Sequence, residues 1–112
     1  MPHFGSESLF EQEQLALLAV LRLGNQAYGV RIVAELNTLT SLQISRPSIY
    51  VTLGRLERKG FLTSSLGEPL AQRGGRARRF YQVTPAAMVL LKDTRQCYLR
   101  LWNGLEALLD GA

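Results

Sequence analysis

Cysteine and histidine are almost missing from this 112-residue sequence, which contains one of each. The lone cysteine, Cys97, cannot form an internal disulfide, and the lone histidine, His3, has no cysteine or histidine companions for a metal-ligand cluster. No pair of a nucleophile and a general base is apparent in the sequence. The nine acidic residues are scattered without a convincing carboxylate pair. The sequence therefore predicts no catalytic residues, no metal and no cofactor, and enzyme activity is not expected.

Long apolar runs are also absent. The longest, residues 15–23, is interrupted by Arg22 and is far shorter than the roughly 20 apolar residues that cross a bilayer. The first residues show neither the basic start nor the apolar centre of a secretion signal. We expect a cytoplasmic protein without a membrane segment.

Positive charge is concentrated in one part of the chain. Residues 43–83 contain eight basic and two acidic residues, a formal charge of +6, whereas the remaining residues carry five basic and seven acidic residues, a charge of −2. A basic segment of this kind is typical of a surface that meets nucleic acid, although runs of charge are more often only a solvated face.

The first half of the chain predicts two helices. Residues 11–23 are rich in leucine and alanine and predict a helix that ends at Gly24. The apolar side chains of this helix cover more than one face, so we expect it to be buried by a second subunit as well as by the chain's own core. Residues 28–39 predict a helix whose apolar stripe is Ile32, Leu36 and Leu39. Gly29 near its start predicts close packing, and residues 38–42 predict a turn.

A third helix spans residues 45–59, with Ser45 as N-cap and Pro47 in the first turn. Its inward stripe is Ile49, Leu53 and Leu56, and Gly60 ends it. The side chains that point away from this stripe or flank it are candidates for DNA contact: Arg46, Pro47, Ser48, Tyr50, Val51, Gly54, Arg55 and Arg58.

Two antiparallel strands are predicted at residues 61–66 and 77–83, joined by a glycine-containing loop. The loop and second strand carry Arg73, Arg76, Arg78 and Arg79. Because side chains alternate along a strand, Arg78 and Arg79 leave opposite faces and are not expected to do the same job. A compact helix followed by a basic hairpin is the pattern of a winged helix-turn-helix, which makes DNA the first functional hypothesis.

The remaining residues predict one long helix. Thr84 and Pro85 mark its start, and the helical pattern continues to about Leu109. A seam at helical spacing contains Leu91, Tyr98, Trp102, Leu105 and Leu109, with the polar Arg95 among them. We therefore expect a mainly α fold with a small β-hairpin, in which a winged helix-turn-helix (residues 9–83) and a long C-terminal dimerisation helix (residues 84–110) form one compact unit.

The chain resembles the PadR family of bacterial transcriptional regulators from about Leu15 onward. The resemblance rests on residues of the second helix, the third helix and the hairpin, or wing. They are Tyr28-Gly29, Ile32 and Leu36; then Ser45, Ser48, Ile49, Tyr50, Leu53, Arg55-Leu56-Glu57 and Lys59-Gly60-Phe61-Leu62; and, in the wing, Gly74-Gly75-Arg76-Ala77-Arg78-Arg79-Phe80-Tyr81 and Val83-Thr84. Val51 stands where a proline often follows the tyrosine, and Ala87 replaces a usual glycine. The region after the wing is similar to the small subgroup that has a single C-terminal helix.

The resemblance implies a homodimeric repressor that binds a palindromic operator in double-stranded DNA and is often released by a small hydrophobic or phenolic compound. The predicted DNA-binding residues are Ser45, Arg46, Ser48, Tyr50, Arg55, Arg73, Arg76 and Arg78. Trp102 most simply packs in the dimer core, but with Tyr98 and Arg95 it is also a candidate site for a small aromatic effector. The alternatives are a winged-helix protein-interaction module without DNA binding, and a small-molecule carrier or enzyme built in the helical interface.

Overall fold

The computed structural model describes residues 9–69 and 77–111. Its elements, in chain order, are helices α1 (Glu11–Leu23), α2 (Gly29–Leu39) and α3 (Arg46–Arg58), strands β1 (Leu62–Pro69) and β2 (Ala77–Val83), and helices α4 (Pro85–Trp102) and α5 (Glu106–Asp110), with a short 3₁₀ turn at Gly24–Gln26. This order confirms the predicted fold, mainly α with one small hairpin. The loop arginines Arg73 and Arg76 lie outside the described residues.

Helix α1 has the predicted bounds. The Glu13 carboxylate accepts a hydrogen bond from the backbone N–H of Phe10 (2.9 Å), which satisfies one of the free donors at the helix start. Gly24 ends the helix with a φ of 57°, a conformation that favours glycine. Ala16, Leu17, Ala19 and Val20 are buried, but Leu18 and Leu21 remain 46% and 41% exposed. Within one chain, then, α1 keeps an uncovered apolar side.

Helix α2 begins one residue later than predicted, with Tyr28 as its N-cap, and ends at Leu39 as predicted. Ile32 and Leu36 are buried as predicted. The prediction for Leu39 was wrong, because this side chain is 55% exposed. It lies in the last turn of α2, beyond the part of the helix that packs on the core.

The turn between α2 and α3 is closed by one side chain. The Asn37 amide donates to the Ile44 carbonyl (3.1 Å) and accepts from the Ile44 N–H (3.0 Å). Asn37 therefore pairs with a backbone unit from both sides, as a neighbouring strand would. This contact sets where the chain enters α3.

Helix α3 confirms the predicted cap and stripe. Ser45 Oγ accepts from the Ser48 N–H (3.3 Å), and Ile49, Leu53 and Leu56 are completely buried. Gly60 follows the helix with a φ of 80°, and the Phe61 N–H donates to the Leu56 carbonyl (2.9 Å). Burial of the aliphatic stripe leaves the opposite face of α3 to solvent.

The hairpin is antiparallel and pairs Leu62 with Val83 at one end and Pro69 with Ala77 at the other, with an irregularity between Leu66 and Pro69. Strand β1 starts one residue later than predicted and continues beyond Leu66. The Tyr81 N–H also donates to the Ala27 carbonyl (2.8 Å), so β2 is joined to the segment that leads into α2. The hairpin is thus fixed beside the helices along part of its length.

The C-terminal region is interrupted. Thr84 Oγ1 accepts from the Ala87 N–H (3.3 Å), which confirms the predicted helix start, but α4 ends at Trp102 and a shorter helix, α5, follows. The single helix predicted to extend to about Leu109 is therefore wrong. The interruption lies at Gly104, whose φ is 85°, a value outside the helical range.

One hydrophobic core unites α1, α2, α3 and the base of the hairpin. Helix α4 contributes little to it: Ala87 is its only buried residue, although Leu90 and Leu91 pack against the core. In the described part of the chain, no helix combines the length and apolar character needed to cross a membrane. The described residues also bring no three histidine, cysteine or acidic side chains together as a metal site.

Candidate nucleic-acid interface

The outward face of α3 carries an exposed cation and two large exposed side chains. Arg46, in the first turn, is exposed, and Tyr50 and Val51 are 44% and 59% exposed. No acidic residue lies in the first turn of α3, where the backbone N–H groups give the helix its positive end. This face is therefore open to a partner, and no negative charge in the first turn of α3 opposes its positive end.

The Tyr50 ring packs directly against a glycine on α2. A β-carbon at Gly29 would lie 2.6 Å from the Tyr50 hydroxyl oxygen and would also overlap the ring. The close packing predicted at Gly29 is therefore present, and its partner is Tyr50. Gly29 lets this aromatic side chain lie across the start of α2 while nearly half of its surface stays exposed.

Ser48, another candidate, is turned toward α1. Gln12 Nε2 donates to Ser48 Oγ (2.9 Å) and to the Ser48 carbonyl (3.3 Å), and it also lies 2.8 Å from Thr52 Oγ1. The Ser48 hydroxyl oxygen thus has a partner inside the protein. This contact fixes the first half of α3 against the first turn of α1.

Arg55 is likewise drawn toward α1. The Glu13 carboxylate is completely buried and accepts two hydrogen bonds from Lys59 Nζ, at 2.8 and 3.0 Å. Arg55 Nη1 lies 4.0 Å from the same carboxylate, and its side chain is 37% exposed. Part of the positive charge at the C-terminal end of α3 is therefore matched by a buried negative charge.

The two described wing arginines take different positions, as strand alternation predicts. The Arg78 guanidinium carbon lies 4.2 Å from the centre of the Tyr28 ring. Arg79 is exposed, and its Nη1 donates to Ser64 Oγ (2.9 Å), which in turn donates to the Glu57 carboxylate (2.7 Å). One arginine is stacked on an aromatic face, and the other is linked through a hydroxyl to the end of α3.

A groove lies between the starts of α2 and β2 and the side of α3. The α3–β2 groove has a volume of about 310 Å³ and is lined by Gly29, Val30, Tyr50, Ala77, Arg78, Arg79 and Tyr81. Burial raises the pKa of the Tyr81 phenol above its ordinary value of 10.0, the nearby Glu57 carboxylate raises it further, and Arg79 opposes the change. Tyr81 is therefore a neutral phenol at physiological pH. The groove joins two of the predicted DNA-binding residues, Tyr50 and Arg78.

The three predicted ligand-binding residues come together elsewhere. Arg95, Tyr98 and Trp102 lie along one side of a mainly apolar groove between α1 and α4, with a volume of about 790 Å³. Its other lining residues, which define the α1–α4 groove, are Gln14, Leu18, Leu21, Met88, Val89, Leu91, Lys92, Thr94 and Leu99. The structure thus separates a basic surface on α3 and β2 from an apolar surface on α1 and α4.

Residues 17–93 match the family described as the transcriptional regulator PadR-like family. The match covers well over half of the chain. This chain belongs to the PadR-like family of transcriptional regulators. A search of curated protein sequences found no match.

Solved structures show the same fold. A transcriptional regulator from Clostridium thermocellum is 21% identical over 83% of this chain and 87% of its own, with a TM-score of 0.65. A PadR family regulator from Eggerthella lenta is 24% identical over 88% of this chain and 87% of its own (TM-score 0.60), and a PadR-like regulator from Bacillus cereus is 23% identical over 91% of this chain and 100% of its own (TM-score 0.64). These likenesses establish a shared fold along most of the chain.

The PadR-like match contains α2, α3 and the hairpin but not the whole molecule. It ends at residue 93, before Arg95, Tyr98 and Trp102, and begins after Gln12 and Glu13. The sequence alone did not identify Gln12 and Glu13 as part of the site. Their signal was weak, because a glutamine and a glutamate in a first helical turn ordinarily face solvent.

Tyr28 was also missed as part of the interface. It was recognised only as part of a family motif, and no rule of sequence spacing connects position 28 with position 78. The contact arises because β2 pairs with the segment before α2, which is a tertiary feature.

Proposed function

We propose that this PadR-like regulator is a homodimeric, sequence-specific DNA-binding repressor whose affinity for a palindromic operator falls when a small hydrophobic or phenolic compound binds. The observation that carries the proposal is the continuous surface formed by the exposed face of α3 and the arginine-bearing strand β2. With DNA as its partner, the protein would act in the cytoplasm.

The proposed contacts divide by chemistry. Arg46 and Tyr50 are exposed on α3 and would reach base edges or nearby phosphates in the major groove, while the free N–H groups beside Ser45 favour a phosphate. Ser48 and Arg55 would take part from the flanks of α3, each already in contact with α1.

Arg78 would bind the backbone phosphates beside the groove. Arg73 and Arg76, which lie outside the described residues, are proposed for the same role from the sequence.

A homodimer is supported by the apolar surface that one chain leaves uncovered. Exposed apolar side chains on α1 and α4 border the same groove: Leu18, Leu21, Met88, Val89, Tyr98, Leu99 and Trp102. A contiguous apolar surface of this kind marks an interaction site on a monomer. In a symmetric dimer each copy would cover the other's groove, and the two α3 helices would be spaced for successive major grooves.

The effector site is proposed in the α1–α4 groove. Trp102 and Tyr98 offer flat aromatic faces, and Arg95 offers a cation for a phenolate or carboxylate group. If α4 pairs across a two-fold axis, two such sets of side chains would face one another. A planar aromatic compound inserted between them would alter the angle between the subunits and therefore the spacing of the α3 helices.

Binding to fluorescently labelled duplex DNA tests this proposal. The native protein should raise the anisotropy of a random-sequence duplex at low salt, and affinity should fall steeply with salt because bound arginines release counterions. Tyr50→Ala should weaken binding mainly to a duplex obtained by selection from a random pool, by about 1–3 kcal/mol. Planar aromatic compounds should reverse binding and change Trp102 fluorescence.

Arg22→Ala is the control variant for Tyr50→Ala in the DNA-binding experiment. Arg22 is exposed, lies at the end of α1 and pairs with Glu35 (2.9 Å), so its removal should leave DNA binding nearly unchanged. Absence of binding to any duplex at low salt would contradict the proposal. That outcome would favour a winged-helix module that binds protein instead.

A further inference from the structure

Arg78 occupies an unusual place for an arginine on a small domain. Its guanidinium lies over the Tyr28 ring at 4.2 Å from the ring centre, within the range of a cation–π contact. Among the residues that the structure describes, its Nε is buried and has no hydrogen-bond partner. The side chain is therefore held by the aromatic face, although its Nε has no partner among the described residues.

An unsatisfied buried donor has a free-energy cost, which an arginine on a strand could avoid by extending into water. Tyr28 offsets this cost, since the negative face of its ring attracts the guanidinium. The result is a cation confined to the wall of the α3–β2 groove, which Tyr50 also lines. A flexible surface arginine would lose more conformational entropy on binding the same target.

Tyr28 is itself firmly placed. Its ring packs edge-on against Phe80, with 5.4 Å between the ring centres and 70° between the ring planes. Its backbone pairs with Phe80, and the adjacent Ala27 carbonyl accepts from the Tyr81 N–H (2.8 Å). The ring therefore joins the start of α2 to the hairpin at a fixed angle.

We propose that Tyr28 is a positioning residue for DNA binding, whose ring holds the Arg78 guanidinium beside the α3–β2 groove so that it meets a backbone phosphate. The inference rests on the proposed DNA-binding function and deepens it. It assigns to Tyr28 a role exerted through Arg78 rather than by direct contact with DNA.

A double-mutant cycle on labelled random-sequence duplex at several salt concentrations tests the inference. Arg78→Ala should weaken binding and reduce the slope of log affinity against log salt by about 0.9, the value for one phosphate contact. Tyr28→Leu should weaken binding between about two-fold and ten-fold, as expected for loss of a cation–π contact, whereas Tyr28→Phe, which keeps the ring, should bind like the native protein. In the double variant, Tyr28→Leu should add no further loss to Arg78→Ala.

Arg79 provides the matched control. It has the same charge, lies next in the chain and also borders the α3–β2 groove, but its guanidinium contacts Ser64 rather than Tyr28. Combined with Arg79→Ala, the effect of Tyr28→Leu should therefore be fully additive. Additive losses with Arg78→Ala, or native binding by Tyr28→Leu, would overturn the inference.

Two measures keep the outcome decisive. Thermal unfolding identifies any variant that fails to fold. In that case Tyr28 is replaced by pentafluorophenylalanine, which keeps the ring shape but reverses the charge of the ring face. Weaker DNA binding by this variant supports the inference, and native binding overturns it. A native protein that binds no duplex at low salt would refute the proposed function. A native protein that binds, but shows additive losses for Tyr28 and Arg78, would refute only the role of Tyr28.

Discussion

Glu13 is a buried side chain that connects α1 to the C-terminal end of α3. Its carboxylate is completely buried, yet it accepts from the Phe10 N–H and from Lys59, and Lys59 also lies over the Phe10 ring at 5.1 Å. A buried carboxylate without these donors would be strongly destabilising. One residue thus caps α1 and anchors the C-terminal end of α3.

Replacing this carboxylate with its neutral isostere, Glu13→Gln, should lower the free energy of unfolding by about 2 kcal/mol, because Lys59 loses its ionic partner while the shape of the site is kept. Chemical denaturation followed by circular dichroism measures the change. Glu11→Gln is the control, since Glu11 lies in the same helical turn but is exposed. Equal stability of the two variants would show that the buried ion pair contributes nothing.

The packing of α2 on α3 decides how Tyr50 is presented. Gly29 is the point of closest approach, and a methyl group there would overlap the Tyr50 ring. The ring is the end of a side chain that is 44% exposed, so it can rotate toward solvent without disturbing the core.

Gly29→Ala should therefore change stability little but weaken binding to a selected duplex, because Tyr50 is displaced from its place beside the groove. Anisotropy titration measures the affinity, and thermal unfolding measures the stability. In a Tyr50→Ala background the same change should have no further effect on affinity. A loss of affinity that persists without the Tyr50 ring would contradict this explanation.

The elements that the sequence predicts best are those with a local signal. The bounds of α1, the cap at Ser45 and the buried stripe of α3 depend on helical period and end residues, which lie within a few positions of one another. The break at Gly104 was missed because a glycine within an apolar helical pattern is often tolerated. Leu39 was placed in the core because the period continues after the packing surface has ended.

The candidate site was less predictable than the fold. Exposure of Arg46 and Tyr50 follows from helical geometry, whereas the inward turn of Ser48 and Arg55 depends on Gln12 and Glu13, more than thirty residues earlier in the chain. The same holds for Arg78 and Tyr28. Contacts between distant segments arise from the packing of whole elements, so no local pattern shows them.

At the scale of the whole molecule, basic and apolar surfaces are kept apart. Residues on α3 and β2 form the basic surface, while α1 and α4 carry the exposed apolar side chains of the α1–α4 groove. Both α1 and α3 pack on the shared core, and Gln12 and Glu13 join them directly. Helix α1 therefore borders the apolar groove and also contacts α3 directly, so that it connects the two surfaces.

A charge placed on the apolar surface should separate the proposed dimer. Leu99 lies on α4, lines the α1–α4 groove and is 47% exposed, so Leu99→Glu should leave the monomer folded but bury a carboxylate if two copies associate. Sedimentation velocity should show a dimer for the native protein and a monomer for the variant at the same concentration. Leu66→Glu is the control, because Leu66 is 62% exposed on β1 and does not line the α1–α4 groove.

Loss of the dimer should also reduce operator binding far more than binding to random duplex at low salt. Two linked α3 helices engage two half-sites at once, and the second contact benefits from the high effective concentration that the first creates. A monomer keeps its α3 surface and its hairpin arginines but loses the gain in operator affinity that comes from two linked sites. If Leu99→Glu were monomeric and still bound a selected palindromic duplex with native affinity, recognition would belong to the single chain, and the symmetric arrangement proposed for α4 would be wrong.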